Sequence, residues 1–232
     1  MQLLFSLKTY LSDCDNTSSL SSRLRKKRIK PLVTLINKIS AEKGKVEILD
    51  IGGTRSYWNI APPEVLKKTH ITLLNTKEAN DYDDEIFRFT KGNGCDLEQY
   101  DDNHFDIAHS NSVIEHVGNW ENITQFASEL KRVAQYYYVQ TPNFFFPLEP
   151  HFMLPFFHWL PESIRVFIIM TIKTGCPKVP ERDKALQYVR CINLLKRSQF
   201  KQLFPEAMIV SEKIAGVCKS FYAIKDSTMS AS

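Results

Sequence analysis

Apolar residues recur along this chain in two rhythms. Val46, Ile48, Leu49 and Ile51 form a nearly unbroken run, the pattern of a strand covered on both faces. Short β-rich runs at 70–75, 86–90, 105–110 and 136–140 predict four more strands. Between them the spacing becomes helical. Ile29, Leu32, Leu35 and Ile36 predict a helix from Ser21 or Ser22 to about Ile39, with Pro31 either in its first turn or breaking it. Pro62-Pro63 opens a short helix. Ile123, Phe126, Leu130 and Val133 line one face of another, with Asn119 as its cap. Strand alternating with helix predicts an α/β fold around a parallel, doubly wound sheet.

The rhythm breaks after the fifth strand. Residues 144–175 hold eight Phe and Trp side chains interleaved with prolines at 147, 150, 155 and 161. Prolines at that density forbid one long helix. Short pieces making an apolar flap are predicted, with Ile164–Ile172 as the longest helix. A polar loop at 176–184 and a short helix at 199–204 follow. Strands near 208–214 and 217–224 close the chain as a hairpin, joined at Ala215-Gly216. The expected organisation is an arm and basic helix over 1–44, one domain over 45–225 carrying the flap, and a frayed tail over 226–232.

Composition narrows the class. The 232 residues suffice for one sizeable α/β domain with an extension. A net charge of +4 without a recurring basic pattern gives no reason to expect nucleic acid. The run Arg23–Lys30 reads either as a solvated helix start or as contact with an anionic surface, so peripheral membrane contact through it or through the flap stays open. Five scattered cysteines without a Cys-x-x-Cys pair indicate neither a disulfide framework nor zinc. A cytoplasmic setting is expected. The N-terminus lacks a signal-peptide core, and no stretch approaches a spanning helix.

Chemistry concentrates around Asp50, Gly52 and Gly53. Two glycines at the carboxyl end of the first strand turn the chain sharply and let a ligand approach the backbone. In open α/β sheets ligands bind beyond the carboxyl ends of strands. A nucleotide-like cofactor is expected there.

The segments EILDIGGTRSYW, ITLLN, GNGCDL, FDIAHSNSVIEHVGNW and YYYVQTPNFFFPLEPHF, in that order, resemble the class I S-adenosylmethionine-dependent methyltransferases. The resemblance spans roughly 45–224. It implies a seven-stranded, mostly parallel Rossmann-like sheet whose last two strands form a hairpin. It also implies S-adenosylmethionine as cofactor. By the same resemblance, Asp50, Gly52 and Gly53 lie under the methionine part, and Asn75 falls where an acid binds both ribose hydroxyls. Asp96 accepts from the adenine amino group, and Asn111 and Ser112 help hold the amino acid end. The sequence departs from the family pattern at Thr54 and Ser56, which occupy glycine positions, and at Asn75, which lacks charge. Asn75→Asp is therefore expected to preserve or improve affinity.

Methyl transfer from a sulfonium needs mainly proximity and alignment. A base is required only where the acceptor must lose a proton. His116 and His151 are the candidate bases. Equally, His116 fits a structural helix start and His151 a ring packed in the flap. Glu149 stands ready to orient His151. His109, inside a strand, is expected to be buried and paired. The spacing of His109, His116 and His151 matches no zinc pattern, so no metal is expected. The resulting expectation is methyl transfer to a small-molecule acceptor, O-methylation preferred. A catalytically silent, methyltransferase-like binding protein is the alternative. A nicotinamide enzyme fits worse, because its Gly-x-Gly-x-x-Gly fingerprint is absent.

Overall fold

A computed structural model describes residues 20–77, 83–175 and 177–226. The expected arm at 1–19 and nearly all of the tail lie outside these residues. The central sheet comprises β1 (Val46–Ile51), β2 (Thr69–Asn75), β3 (Phe87–Lys91), β4 (Phe105–Asn111) and β5 (Ala134–Pro142). After β5 a two-stranded ribbon, β6 (Leu148–Glu149) and β7 (Leu154–Pro155), opens the flap. The sheet is completed by β8 (Met208–Ile214) and β9 (Val217–Lys225). Its order is β3-β2-β1-β4-β5-β9-β8. Pairings through β5 are parallel, and β9 runs antiparallel to both neighbours. The expected seven-stranded, mostly parallel, doubly wound sheet is therefore present. The hairpin link adopts φ of 47° at Ala215 and 83° at Gly216, the geometry of a two-residue turn matched to strand twist.

Helices cover both faces. They are α1 (Leu20–Lys43), α2 (Arg55–Trp58), α3 (Pro63–Leu66), α4 (Trp120–Arg132), α5 (Glu162–Thr171), α6 (Arg182–Arg190) and α7 (Arg197–Leu203). α1, α2 and α3 share one apolar layer with Ile48, Ile71 and Tyr138. α4 and α7 pack on the other, with Leu49, Ala108 and Tyr137. Asn119 caps α4 as expected, its side chain accepting from the Asn122 amide at 3.0 Å.

Two expectations require correction. Pro31 lies well inside α1 rather than in its first turn. An interior proline costs about 3 kcal/mol, but Ile29, Leu32, Leu35, Ile36 and Ile39 are all buried, each contributing about 1.5–3 kcal/mol. Packing outweighs the missing backbone bond. Second, part of the expected polar loop at 176–184, together with the residues after it, forms α6. Ala185 and Val189, four residues apart, turn inward. They pack with Phe152, Phe157, Val166 and Ile169. The flap thus owns a small core that extends beyond residue 175. Its outer side exposes Phe145, Phe156, Trp159, Ile164, Phe167 and Ile172.

β1 sits between β2 and β4, so the connections leaving β1 and β4 diverge. That divergence opens a crevice at the carboxyl ends of the strands.

Candidate active site

The crevice begins at the turn after β1. Gly52 has φ +73°, and a Cβ there would stand 2.5 Å from Val113 Cγ2. A Cβ on Gly53 would lie 1.8 Å from Asp50 Oδ2. Both positions therefore require bare backbone. Asp50 is wholly buried; it accepts from Trp58 Nε1 at 2.7 Å and pairs with His109 Nδ1 at 2.6 Å. The other ring nitrogen of His109 lies 3.2 Å from the Tyr57 hydroxyl. With a carboxylate on one side, Nδ1 carries the proton and Nε2 accepts from Tyr57 O–H.

Above this turn lies a cavity of about 640 Å³. Asp50, Gly52, Gly53, Tyr57, Asn111 and Ser112 form its floor. Gln140 and Asn143, in and just after β5, and Phe146, Leu148, Pro150 and Met153 of the flap add to its lining. Helix α1 contributes Arg28, which is buried although it belongs to the basic run. Its guanidinium donates to Asn111 Oδ1 at 2.8 Å and to Glu212 at 2.9 Å. The neighbouring Lys26, Lys27 and Lys30 are exposed. Ser112, at φ 56°, bonds Gln140 Oε1 at 2.8 Å and ties the β4 exit to β5.

A methyltransferase-domain family model matches residues 66–136. The sheet order matches the class I S-adenosylmethionine-dependent methyltransferase fold. No curated protein sequence matches the chain. Among solved structures, the methyltransferase fold is similar to the Burkholderia thailandensis 1,6-didemethyltoxoflavin-N1-methyltransferase, crystallised with 1,6-didemethyltoxoflavin and S-adenosylhomocysteine. That match has TM-score 0.51 and 10% identity, over 96% of this chain and 85% of that one. A methyltransferase from Archaeoglobus fulgidus gives 0.49 and 13%, over 87% and 92%. The CurJ carbon methyltransferase gives 0.46 and 11%, over 78% of this chain and 48% of that one.

The crevice fits such a cofactor on its own geometry. The glycine turn bares backbone to the cavity, and the volume falls within the range of small-molecule sites. Asp96 is exposed, and its carboxylate accepts from the Glu98 amide at 3.5 Å. Asp50, Gly52, Gly53, Asn111 and Ser112 come together as expected. Asn75 and Asp96, beyond the neighbouring strands, do not line this cavity. Asn75 differs from expectation in one respect: its amide donates to the Gly53 carbonyl at 2.9 Å. It holds the turn.

His116 and His151 are brought together, with ring centroids 4.7 Å apart and planes at 90°. Neither lines the cavity, although Pro150 and Met153 beside His151 do. His151 Nδ1 bonds Glu149 Oε1 at 2.7 Å, as its sequence position suggested. Burial opposes charge on His151, but that bond and the nearby carboxylates raise its pKa overall. Desolvation of the ring and the neighbouring His151 lower His116. Glu115 is completely buried, and burial pushes it up to about 7. Thr141 donates to its Oε2, while Oε1 has no hydrogen-bond partner among the described residues.

Arg28, Tyr57 and Gln140 escaped the sequence reading as site residues. A basic run marked Arg28, but its inward rotation depends on where α1 crosses the sheet. Nothing local marks Gln140.

Proposed function

We propose that this domain transfers the methyl group of S-adenosylmethionine to a hydroxyl of a small molecule held in the 640 Å³ cavity. The observation carrying the reading is the continuity of that cavity from the glycine turn to the flap. The methionine end of the cofactor and the acceptor can share one cleft, so their reacting atoms can be aligned. In this reading the cofactor's amino acid end lies over Gly52, Gly53, Asn111 and Ser112, and Asp50 supports the turn from beneath. Asn75 keeps the turn beside the ribose, and Asp96 accepts from the adenine amino group. When bound, the cofactor supplies the electrophilic methyl. The chain supplies orientation and a dry wall.

The preference for oxygen rests on a proton path. Tyr57 lines the cavity and donates to His109 Nε2, whose far side is bonded to Asp50. An acceptor hydroxyl bonded to Tyr57 can pass its proton to the phenol oxygen as the phenol proton moves to His109. Asp50 then stabilises the imidazolium. Because His116 and His151 do not line the cavity, this path does not run through them.

The described free cysteines, Cys95, Cys191 and Cys218, suit the reducing cytoplasm. No helix among the described residues is long and apolar enough to cross a membrane. The exposed flap aromatics leave peripheral contact with an apolar surface as part of the proposal.

Calorimetric titration with S-adenosylmethionine and S-adenosylhomocysteine tests the cofactor half. No binding of either at millimolar concentration would sink the enzyme reading. Incubation with methyl-labelled cofactor and fractionated small-molecule extract tests the rest. A label found on nitrogen or carbon would reject the oxygen preference. Binding without turnover on any fraction would favour the silent binding protein, a reading supported by Thr54 and Ser56 at the glycine positions.

A further inference from the structure

Glu115, His116 and His151 meet where the flap touches the exit of β4. Each offers one ligand atom, and those atoms all lie within 4.8 Å of one another. We propose that this group binds a divalent transition-metal ion of the zinc class, which clips the flap to the central sheet.

The two observations behind it are independent. The first is the donor set. Two imidazoles and one carboxylate form a recurrent set for zinc and its neighbours in the first transition series. His151 is held through Nδ1 by Glu149, which leaves Nε2 for the ion. A carboxylate behind a ligating histidine is the usual outer support of such sites. The second is an orphaned oxygen. Glu115 is 0% exposed, yet among the described residues its Oε1 has no hydrogen-bond partner. An unpaired buried carboxylate oxygen is costly. Glu149, 1% exposed, adds a second buried acid nearby. A divalent cation would neutralise the two together.

The geometry requires only small movements. In a tetrahedral site with bonds of about 2.0 Å, ligand atoms stand roughly 3.3 Å apart. Rotation of the two rings, that of His116 partly exposed, closes that difference. Three protein ligands leave a fourth position for water. Glu115 and His116 belong to the segment leaving β4, whereas His151 belongs to the flap. The ion would therefore fix His151 and, through its chain neighbours, Pro150 and Met153 at the cavity wall. Separation in the sequence hides this set: His151 lies 35 residues beyond His116. Chain spacing argued against metal because it registers only local ligand pairs.

The test uses the whole chain, stripped with a chelator and titrated with zinc by calorimetry and with cobalt by absorption spectroscopy. One ion per chain is expected, with cobalt d–d bands and no sulfur charge-transfer band. Glu149→Gln keeps all three ligands and should weaken zinc binding roughly 10–100-fold, as loss of outer support does elsewhere. His116→Ala should abolish the cobalt bands. The exposure of His116 makes this variant a safe one for folding, checked by circular dichroism of the stripped protein. Three outcomes would overturn the site: no binding of either ion at 100-fold excess, unchanged binding by folded His116→Ala, or a thiolate band. Titration with S-adenosylhomocysteine on the same samples keeps this result separate from the methyl-transfer reading.

Discussion

Asn75 provides the sharpest test of how the cofactor loop is held. In the family pattern an acid at this position would read the ribose, so Asn75→Asp should tighten binding. The bond that Asn75 makes argues for the opposite order. The amide nitrogen donates to the Gly53 carbonyl at 2.9 Å, and an aspartate would set a carboxylate oxygen against that carbonyl. Removing the bond alone costs about 1 kcal/mol. Opposing two oxygens leaves a part-buried acceptor unpaired and adds roughly 1–3 kcal/mol. Asn75→Ala should therefore weaken S-adenosylhomocysteine binding about 5-fold, and Asn75→Asp on the order of 30-fold or more, since 1.4 kcal/mol is a factor of ten. Calorimetric titration at pH 7.5 measures both, with thermal unfolding as a control for global damage. The order of the two variants decides the matter. If aspartate binds as well as asparagine or better, Asn75 faces the ribose and its bond to Gly53 is dispensable.

Asp96→Ala should weaken cofactor binding by roughly 1.5–3 kcal/mol, the worth of a hydrogen bond to a charged group; because Asp96 is exposed, its melting temperature should stay unchanged, and unchanged affinity would move adenine recognition elsewhere. Gly53→Ala would drive a Cβ to 1.8 Å from the Asp50 carboxylate, so loss of both cofactor binding and stability is expected, and a folded variant with native affinity would refute the packing described. Tyr57→Phe should lower turnover on a hydroxyl acceptor at least tenfold with cofactor affinity retained, the scale of a lost general acid–base contact; equal turnover would remove Tyr57 from the proton path. Glu129 is held below its ordinary pKa first by its bond to Arg132, and also by the Leu97 amide, against the opposing effect of burial. A lowered carboxylate stabilises the fold above its unfolded pKa and loses that contribution as pH falls through the folded value. Glu129→Gln should accordingly flatten the loss of stability below about pH 4.5, as read by urea unfolding across pH; a slope identical to wild type would contradict this.

Local pattern determined the scaffold. The run at β1, the β-rich runs after it and the helical spacing before β5 each follow from neighbours in the chain, because strand and helix periodicities are short-range. The glycine turn was legible for the same reason: no other residue serves two consecutive positions that demand bare backbone. The Asn119 cap and the Ala215-Gly216 hairpin followed equally from local chemistry. Tertiary structure decided what lies across elements. It carried Pro31 through α1, because the sheet rewards a buried stripe more than one backbone bond costs. It turned Ala185 and Val189 into a helix by providing flap residues for them to meet. It rotated Arg28 into the cavity and pointed the Asn75 amide at Gly53. It also gathered Glu115, His116 and His151, which no spacing rule connects. Such meetings depend on strand order and on how the flap folds back, and contacts between distant segments leave no periodic trace in the chain.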